Sequence, residues 1–382
     1  GDDVPLCEVE KQGRVNIGPF EVEWINMAHS IPDTSSLFLR TKVGNILHSG
    51  DWNFDPKPAA GTPSDEKRLK ELGDEGVLAY VGDSTNSLVI GTSGSEDDLV
   101  PDFMRLFSEA KGKIAVTLFS SNIGRLKTVI KAAKASERSL CLVGRSLKNM
   151  ADIALKFDLI KDDGIFVTED EAAYYPDNRI AYVMTGSQGE GRAQLPKVAR
   201  GEHPTVKLGE GDRVLFSARA IPGNERAIID MRNALISLGA EVITPKEAHI
   251  HVSGHPARDE IAHMFQLTRP NAVIPVHGEI EQQEGHAALA QQCQIQHAYV
   301  PGNGEVIHID ENGLHPVGAV PAELLAYDAV RIVSLDHPAI KERRRISFHG
   351  VGLATLVANS KEERIEDLQL STMGLIDEAS KR

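Results

Sequence analysis

Apolar and polar residues alternate through the first fifty positions of the chain, in the segments RVNIGPFEVEWINMA and SLFLRTKVGNILHSG. A period of two residues is typical of β-strands, and Gly and Pro mark the turns between them. We therefore predict strands across residues 14–49. The short apolar run VLAYVG at residues 77–82 predicts one further strand, which we expect to be buried.

Strands and helices alternate from about residue 97 onwards. The strand-like run KIAVTLF precedes the helix-like segment IGRLKTVIKAAKAS, and SLCLVG precedes SLKNMADIALKF. The same rhythm continues through RIAYVMTG, RVLFSA, NERAIIDMRNALISLG and AEVITP. Such alternation implies a parallel sheet with helices on both faces, so we predict an α/β fold for this region.

The last third of the chain changes pattern twice. After residue 247 come the motif HVSGH, the helix PARDEIAHMFQLTRP, the strand AVIPVHG, a helix from about residue 280 and the strand HAYVP. Residues 321–382 carry two strand-like runs, DAVRIVSLD and RRRISFHGVGLATLVA, and then a polar tail, NSKEERIEDLQLSTMGLIDEASKR. About sixty residues scarcely form an independent core, so we interpret this part as the start of a domain that the chain does not complete.

Composition and charge narrow the class of protein. The chain has 382 residues, 41% of them apolar and 25% charged, which is ordinary for a soluble protein of about two to three domains. No apolar run reaches the roughly 18 residues that span a bilayer, and the acidic segment GDDVPLCEVEKQG is no signal peptide. Cys7, Cys141 and Cys293 are widely spaced, which argues against a disulfide framework and predicts a cytoplasmic protein. The net charge of −14 argues against a non-specific nucleic-acid coat but leaves a nuclease open, since acidic side chains hold metal ions there.

Four predicted strand-to-helix turns are rich in small polar residues, namely FSSNIGR, VGRS, MTGSQGEG and FSARAIPGNE. Ligands of open parallel sheets bind at such turns, and Ser and Gly let backbone N–H groups face an anion. Arg125, Arg145, Arg192 and Arg219 lie in or beside the turns and suit phosphate. Any single turn is adequately explained by helix capping. Four together favour an extended ligand that carries phosphates.

The motif HVSGH, residues 251–255, has two histidines four residues apart. This spacing would suit a zinc-binding helix, but HIHV alternates like a strand and Gly254 weakens a helix. We predict that Ile250–Val252 end a strand and that a helix begins after His255, with Pro256 in its first turn. Ser253 and His255 would then lie at a helix N-terminus, where phosphate binds. A capping turn with a solvent-facing histidine is an equally supported interpretation.

Four further polar residues follow apolar strands. His29, Asp51, Asp83 and His277 each come where a predicted strand ends, so they can meet at one edge of a sheet. His and Asp are zinc ligands, and one Asp can bridge two ions. A lone histidine in such a place is more often structural, but the series of four makes a metal site competitive with that interpretation.

Seven motifs in this order resemble a known family: AHSIPDT, HSGDWNFD, GDSTNS, TGSQGE, IPGNE, HVSGH and PVHGE. They resemble ribonuclease J, in the β-CASP branch of the metallo-β-lactamase fold, across roughly residues 14–310. The resemblance implies an incomplete αββα metallo-β-lactamase sandwich with an inserted β-CASP parallel-sheet domain. The implied boundaries are residues 1–95 and 243–320 for the metallo-β-lactamase domain, 96–242 for the β-CASP domain and 321–382 for a linker and a partial C-terminal domain.

The resemblance also implies an activity and its residues. It implies a cytoplasmic RNA hydrolase that degrades single-stranded RNA from a 5′-monophosphate end, also cuts internally, and forms a homodimer or homotetramer without membrane contact. His29, Asp51 and His277 would bind two zinc ions, with Asp51 as the bridge. Asp83 and Asp51 would support catalysis by His255 at the scissile phosphate. The implied RNA contacts are His251, Ser253, His255, Ser120, Arg145, Ser146 and Ser187.

One departure from the family pattern leaves two explanations. The HxHxDH motif, which supplies most metal ligands in the family, does not occur in the 382 residues. The sequence is then either a piece of a longer enzyme or a degenerate, non-catalytic relative that binds RNA. We favour the first explanation because His29, Asp51, His255 and His277 are all present. A metallo-β-lactamase hydrolase of thioesters or lactams is a further rival, although small substrates do not need the arginine-bearing turns.

Overall fold

The computed structural model describes residues 4–328, 330–359 and 364–375. The chain divides into one unit of residues 1–302 with 307–317 and another of residues 303–306 with 318–382. Residues 360–363 and 376–382 of the predicted polar tail lie outside the described residues. None of the helices within the described ranges has the length and apolar character needed to cross a membrane.

Helices and strands alternate through most of the chain. The strands are β1 Arg14–Ile17, β2 Phe20–Met27, β3 Thr34–Arg40, β4 Asn45–His48, β5 Ala79–Asp83, β6 Ile114–Thr117, β7 Ser139–Val143, β8 Phe166–Val167, β9 Ile180–Met184, β10 Arg213–Phe216, β11 Glu241–Ile243, β12 Ala272–Val276, β13 His297–Ala298, β14 Glu305–Asp310, β15 Gly313–Ala319, β16 Leu325–Asp328, β17 Arg331–Ser334, β18 Val351–Asn359 and β19 Arg364–Met373. The α-helices are α1 Glu66–Glu75, α2 Val100–Glu109, α3 Ile123–Ala135, α4 Arg145–Lys156, α5 Glu169–Ala172, α6 Gln194–Ala199, α7 Glu225–Ser237, α8 Arg258–Thr268, α9 Ile280–Gln292 and α10 Pro338–His349. Short 3-10 helices cover Glu96–Leu99 and Asp177–Arg179.

A seven-stranded sheet in the order β1-β2-β3-β4-β5-β12-β13 carries the predicted strand ends. The strands predicted across residues 14–49 are present as β1 to β4, which pair antiparallel, and β4, β5, β12 and β13 pair parallel. Phe38, Leu47, Tyr80 and Val273 are fully buried on one face, in a core with residues of α1, α8 and α9. The carboxyl ends of β4, β5 and β12 therefore meet at one edge of this sheet.

A six-stranded, entirely parallel sheet follows the order β11-β10-β6-β9-β7-β8. Every residue of the central strands β6 and β9 is buried, as is typical of a sheet covered on both faces. Ile114 and Val116 pack into a core with residues of α2, α3 and α4, whereas Ala115 packs into a second core with residues of α6 and α7. The predicted α/β region is thus confirmed, with helices on both faces of the sheet.

Two local predictions are wrong. Residues 250–252 do not form a strand, and α8 begins at Arg258 rather than directly after His255. Residues 343–349, predicted as part of a strand, belong to α10. There His337 accepts a hydrogen bond from the backbone of Ala339 and starts the helix, which ends at Gly350 with a φ of 68°. The apolar run read as one strand is therefore divided between α10 and β18.

The buried side chain of Arg125 joins the six-stranded sheet region to the segments before and after it. The guanidinium of Arg125 is fully buried and donates to both carboxylate oxygens of Glu96, at 2.9 and 2.6 Å. It also donates to the carbonyl oxygens of Ser217 at 2.9 Å, Ile250 at 3.2 Å and Val252 at 3.3 Å. It further donates to the hydroxyl of Ser217 at 2.5 Å and to Nδ1 of His251 at 3.2 Å, so the guanidinium is fully engaged inside the protein and does not face a ligand. Its proposed role in phosphate binding is wrong.

Removing the charge of Arg125 should destabilise the fold strongly. Arg125→Met leaves Glu96 buried without its partner, so we expect the free energy of unfolding to fall by about 3–5 kcal/mol. Urea unfolding measures it. The matched control is Arg226→Met, which removes an exposed i,i+4 pair with Asp230 and should cost no more than about 0.5 kcal/mol. Equal losses in the two variants would contradict the role given to the buried pair.

Candidate metal centre

Three predicted ligands converge at the carboxyl edge of the seven-stranded sheet. Asp51 follows β4, His277 follows β12, and His29 follows β2. The Nε2 atom of His29 lies 4.0 Å from Oδ2 of Asp51, and the Nε2 atom of His277 lies 3.6 Å from Oδ1 of the same carboxylate. The Asp51 carboxylate is thus placed between two imidazoles, one facing each oxygen.

The orientation of His29 is set by the HVSGH turn. Its Nδ1 lies 2.7 Å from the carbonyl oxygen of Gly254, which can only accept, so Nδ1 carries the proton. Nε2 is then the unprotonated nitrogen, 3.3 Å from the hydroxyl oxygen of Ser30 and 4.0 Å from Asp51. Metal-binding histidines use this arrangement, with one nitrogen donating to a carbonyl and the other free of a proton. Burial lowers the pKa of His29, and this favours the neutral form that a metal requires.

The glycine of HVSGH is needed for close approach. A Cβ added to Gly254 would lie 2.6 Å from Cε1 and 2.7 Å from Nδ1 of His29. No side chain fits in that space, so the backbone can reach the imidazole only with glycine at this position. Of the alternatives considered for HVSGH, the structure shows a turn that packs against His29 and not a zinc-binding helix.

His255 pairs with a buried carboxylate. Its Nδ1 lies 2.7 Å from Oδ2 of Asp83, and Oδ1 of Asp83 accepts from the backbone and hydroxyl of Thr85 at 2.9 and 2.7 Å. Burial alone would lower the pKa of His255, but the hydrogen bond and the charge of Asp83 outweigh it and raise that pKa. Burial likewise tends to raise the pKa of Asp83, and His255 and Thr85 together lower it.

The donor set fits a zinc-type metal. Two groups of three side chains have ligand atoms within 4.8 Å of one another: His29, Asp51 and His255, and Asp83, His255 and His277. Imidazole nitrogen and carboxylate oxygen are the donors that zinc prefers after thiolate. The ring of His255 stands between those of His29 and His277, with centroids 5.0 and 5.3 Å away.

His277 adopts a backbone conformation that side chains rarely take. Its φ is 56°, and Gly278 follows with a φ of 98°. A non-glycine residue in the left-handed region costs free energy and persists where the surroundings hold it, which is typical of functional positions. In this conformation the half-exposed imidazole of His277 has its Nε2 atom 3.6 Å from Oδ1 of Asp51.

Comparison with known proteins identifies the family. A family model described as Ribonuclease J, beta-CASP domain, matches residues 111–235, and one described as Zn-dependent metallo-hydrolase RNA specificity domain matches residues 223–301. Ribonuclease J of Sinorhizobium meliloti is 38% identical over 373 residues, which are 98% of this chain and 66% of that protein. The chain belongs to the ribonuclease J family. Ribonuclease J of Helicobacter pylori is 36% identical over 372 residues, which are 96% of this chain and 54% of that protein.

The comparisons also show the extent and the fold of the match. The chain spans between 54% and 66% of the length of these two ribonuclease J relatives. A solved structure described as a protein of unknown function from Enterococcus faecalis V583 matches with a TM-score of 0.53 and 14% identity, over 78% of this chain and 66% of that chain. The predicted metallo-β-lactamase fold with an inserted β-CASP domain is confirmed. The domain boundaries at residues 96, 243 and 321 stay predictions.

The ribonuclease J motif HVSGH also carries two predicted phosphate contacts. Burial and the nearby charges of Arg125 and Arg219 lower the pKa of His251 to about 3, so its imidazole is neutral. Arg125 donates to Nδ1 of His251 at 3.2 Å, which leaves the proton on Nε2. The hydroxyl oxygen of Ser253 accepts from the backbone of His255 at 3.1 Å, and its own proton stays available to a ligand.

The predicted β-CASP contacts lie in two kinds of environment. Arg145 and Ser146 are exposed in the first turn of α4, where Gly144 caps the helix without a side-chain hydrogen bond. Ser120 is half-buried in the turn after β6, and Ser187 is buried in the turn after β9. No hydrogen bond or ion pair found among the described residues joins Ser120, Arg145 or Ser146 to the candidate metal centre.

Two residues beside the centre, Asn86 and Asn53, were not singled out from the sequence. The amide of Asn86 donates to the hydroxyl of Ser253 at 2.7 Å and to the carbonyl of His255 at 3.0 Å. Its oxygen accepts from Arg219 at 2.7 Å, so this guanidinium, predicted to suit phosphate, is engaged by a side chain. Asn53 donates to the carbonyl of Ser253 at 3.3 Å. Asn86 and Asn53 stand in the quoted motifs GDSTNS and HSGDWNFD, which was the available signal.

A buried histidine behind the centre should make the protein acid-sensitive. His286 is fully buried between Tyr80 and Phe265, and burial lowers its pKa to about 4. The unfolded chain, with an ordinary pKa of about 6.5, binds more protons between these values, so stability falls as the pH drops below about 6.5. Between pH 7 and pH 4.5, we expect the free energy of unfolding of His286→Phe to fall by about 2–3 kcal/mol less than that of the unsubstituted protein.

Urea unfolding at several pH values measures this difference. The control is His263→Gln, because His263 is exposed and pairs with Glu66 on the surface. Stability curves that run parallel for His286→Phe and the unsubstituted protein would rule out the buried histidine as the titrating group.

Proposed function

We propose that the natural protein is a metal-dependent ribonuclease that degrades single-stranded RNA from the 5′ end and also cuts internally. The observation that carries the proposal is the convergence of the imidazoles of His29 and His277 on the carboxylate of Asp51. This group lies beside the hydrogen-bonded pair of Asp83 and His255. Membership of the ribonuclease J family supports RNA as the substrate.

The metal in this proposal is zinc, as two ions. His29 and His277 would each hold an ion through Nε2, and Asp51 would bridge, since its two oxygens face the two imidazoles. Zinc, when bound, would lower the pKa of a water molecule and stabilise negative charge on the phosphate oxygens. Because ligand histidines must be neutral, zinc affinity should fall in acid.

His255 is proposed to handle the proton of the leaving oxygen. Asp83 holds its Nδ1–H, which fixes the ring and leaves Nε2 to face the substrate. A raised pKa keeps a larger fraction of His255 protonated near neutral pH, so Nε2 can donate to the departing alkoxide. Asp83 acts through His255 by orienting it and by stabilising its charged form.

RNA is proposed to bind by hydrogen bonds and by local positive charge. The neutral imidazole of His251 can donate from Nε2, and the hydroxyl of Ser253 lies two residues away. The first turn of α4, with Arg145 and Ser146, offers backbone N–H groups and a positive charge to a phosphate. Ser120 and Ser187 lie in the neighbouring β-CASP turns and complete the proposed channel, which accepts a 5′-monophosphate end.

The proposal includes self-association and a cytoplasmic location. The paired strands β18 and β19 expose apolar side chains, among them Leu353, Leu356, Leu368 and Leu370, which are 57–71% exposed and support a homodimer or homotetramer. Cys7, Cys141 and Cys293 are free thiols, as expected in a reducing compartment.

A non-catalytic RNA-binding relative is the second candidate. It would share the fold and the RNA contacts of the nuclease and would bind no metal at the candidate centre. Zinc analysis of the natural protein separates the two: close to two ions per chain supports the nuclease, and a value near zero supports the non-catalytic relative.

His277 gives the direct test of the centre. His277→Ala in the natural protein should remove one of the proposed zinc ligands, lower the zinc content and reduce RNA cleavage by at least about 100-fold, since the substitution removes metal-supplied charge stabilisation. A 5′-labelled RNA and zinc analysis measure both effects. His263→Ala removes a surface histidine of α8 and should change neither. Undiminished cleavage in His277→Ala would refute the assignment.

RNA affinity should depend on the exposed arginines of the β-CASP turns. The logarithm of RNA affinity falls as the logarithm of salt concentration rises, and each phosphate contact of a single strand adds about 0.7 to the steepness of this fall. The double variant Arg145→Gln/Arg192→Gln removes two such contacts and should reduce the steepness by about 1.4. Filter binding between about 50 and 200 mM salt measures the slope. The control is Arg105→Gln/Arg226→Gln, whose guanidinium groups are paired with Asp102 and Asp230. Equal slopes in both double variants would exclude these arginines as phosphate contacts.

A further inference from the structure

The side-chain amide of Asn86 is fixed in one orientation by its partners. Asn86 is buried and lies just beyond Asp83, the last residue of β5. Its Oδ1 accepts from Nη1 of Arg219 at 2.7 Å, and a guanidinium can only donate. Its Nδ2 lies 3.0 Å from the backbone carbonyl oxygen of His255, which can only accept. Both contacts require the same assignment of oxygen and nitrogen, so the direction of the amide is defined.

This amide determines what the hydroxyl group of Ser253 can do. Nδ2 of Asn86 donates to Oγ of Ser253 at 2.7 Å, and the backbone N–H of His255 donates to the same oxygen at 3.1 Å. A hydroxyl oxygen accepts through two lone pairs, and these two hydrogen bonds occupy both. Within the described ranges, the hydroxyl hydrogen has no acceptor. Ser253 is therefore held as a hydrogen-bond donor toward a ligand.

The guanidinium of Arg219 is anchored by the same amide and keeps further donors. Its contact with Asn86 uses one N–H group, and this side chain makes no other hydrogen bond or ion pair with the residues that the structure describes. Arg219 is exposed to solvent. Burial is the main cause of the lowered pKa of His251, and the charge of Arg219 contributes to it, so the guanidinium lies close to the HVSGH turn.

The donors around this amide suit an anion. The hydroxyl hydrogen of Ser253, the remaining N–H groups of Arg219 and the Nε2–H of His251 are all hydrogen-bond donors. Phosphate oxygens are acceptors, and hydrogen bonds between a charged donor and a phosphate are among the strong ones. A ligand group that needs an acceptor would find none in these three side-chain groups.

We propose that Asn86 is a positioning residue that orients the hydroxyl of Ser253 and the guanidinium of Arg219 as donors to one phosphate of the RNA. This rests on the proposed function, because it deepens the phosphate contact given there to Ser253. Asn86 acts through its two partners and does not touch the phosphate. Asn86→Asp is nearly isosteric, but its carboxylate would accept the hydroxyl hydrogen of Ser253 and would repel both the carbonyl oxygen of His255 and the phosphate.

Binding of adenosine 5′-monophosphate to the natural protein tests the proposal. This nucleotide carries a phosphate and has no phosphodiester bond to cleave, so calorimetry can measure its affinity at equilibrium. We expect Asn86→Ala to weaken binding about 10-fold and Asn86→Asp about 100-fold, the range for hydrogen bonds to charged groups. The matched control is Asn233→Asp, which adds the same charge at an exposed position of α7 and should change the affinity by less than about 2-fold.

The order of the two substitutions separates positioning from the filling of space. If Asn86 only filled space, the nearly isosteric Asn86→Asp would be the milder change, and that result overturns the proposal. A double-mutant cycle gives a second readout. Asn86→Ala should weaken binding less in a Ser253→Ala background than in the unsubstituted protein, because part of its effect passes through the hydroxyl. Losses that simply multiply in Asn86→Ala/Ser253→Ala would contradict this coupling.

An exposed residue provides a variant that does not depend on a buried substitution. Arg219→Gln removes the anchored guanidinium and should weaken binding about 10-fold. An affinity equal to that of Asn233→Asp overturns the proposal even if the variants at position 86 do not fold, which circular dichroism checks. Equal affinities of the unsubstituted protein for the nucleotide and for adenosine, which has no phosphate, also overturn it. RNA cleavage is measured separately, so a protein that binds the nucleotide as expected but does not cleave RNA contradicts only the proposed nuclease.

Discussion

The backbone of residues 250–255 depends on side chains from distant parts of the chain. These residues form no strand, yet their carbonyl oxygens have partners: Arg125 donates to Ile250 and Val252, Asn53 to Ser253, His29 to Gly254 and Asn86 to His255. Buried carbonyls must be paired, so the turn can take this shape only when all four side chains are in position. The site and the junction between the sheets therefore form together, and a defect in either one should be felt in the other.

Much of the architecture follows from periodicity. The alternation around β2 and β3 predicted strands there, and the bounds of α3 agree with the segment IGRLKTVIKAAKAS. The predicted strand at 250–252 failed because its carbonyls bond to side chains instead of to a neighbouring strand. The strand-like interpretation of 343–349 failed because His337 and Pro338 start a helix there. In both cases a local hydrogen bond, not the apolar pattern, decided the conformation.

The residues of the candidate site could be predicted from the sequence, but the hydrogen bonds that hold them in place could not. His29, Asp51, Asp83 and His277 could be found because each ends an apolar strand, and parallel strands end at one edge. The contact between His29 and Gly254 spans 225 positions, so no local pattern contains it. Arg125 shows the reverse error. An arginine beside a Ser-rich turn resembles a phosphate contact. Arg125 instead forms a buried ion pair with Glu96, which lies in a different element and cannot be paired with it from the local sequence.

Two carboxylates at the same sheet edge are suited to different roles by their surroundings. Asp83 is 1% exposed and is fixed by Thr85 and His255, whereas the side chain of Asp51 is 45% exposed. A buried carboxylate whose oxygens are already hydrogen-bonded holds its partner in one orientation and has little capacity for a further ligand. An exposed carboxylate between two imidazoles keeps lone pairs on both oxygens for cations. These environments support the orienting role proposed for Asp83 and the metal-bridging role proposed for Asp51, since exchanging the two roles would leave a buried charge without a donor.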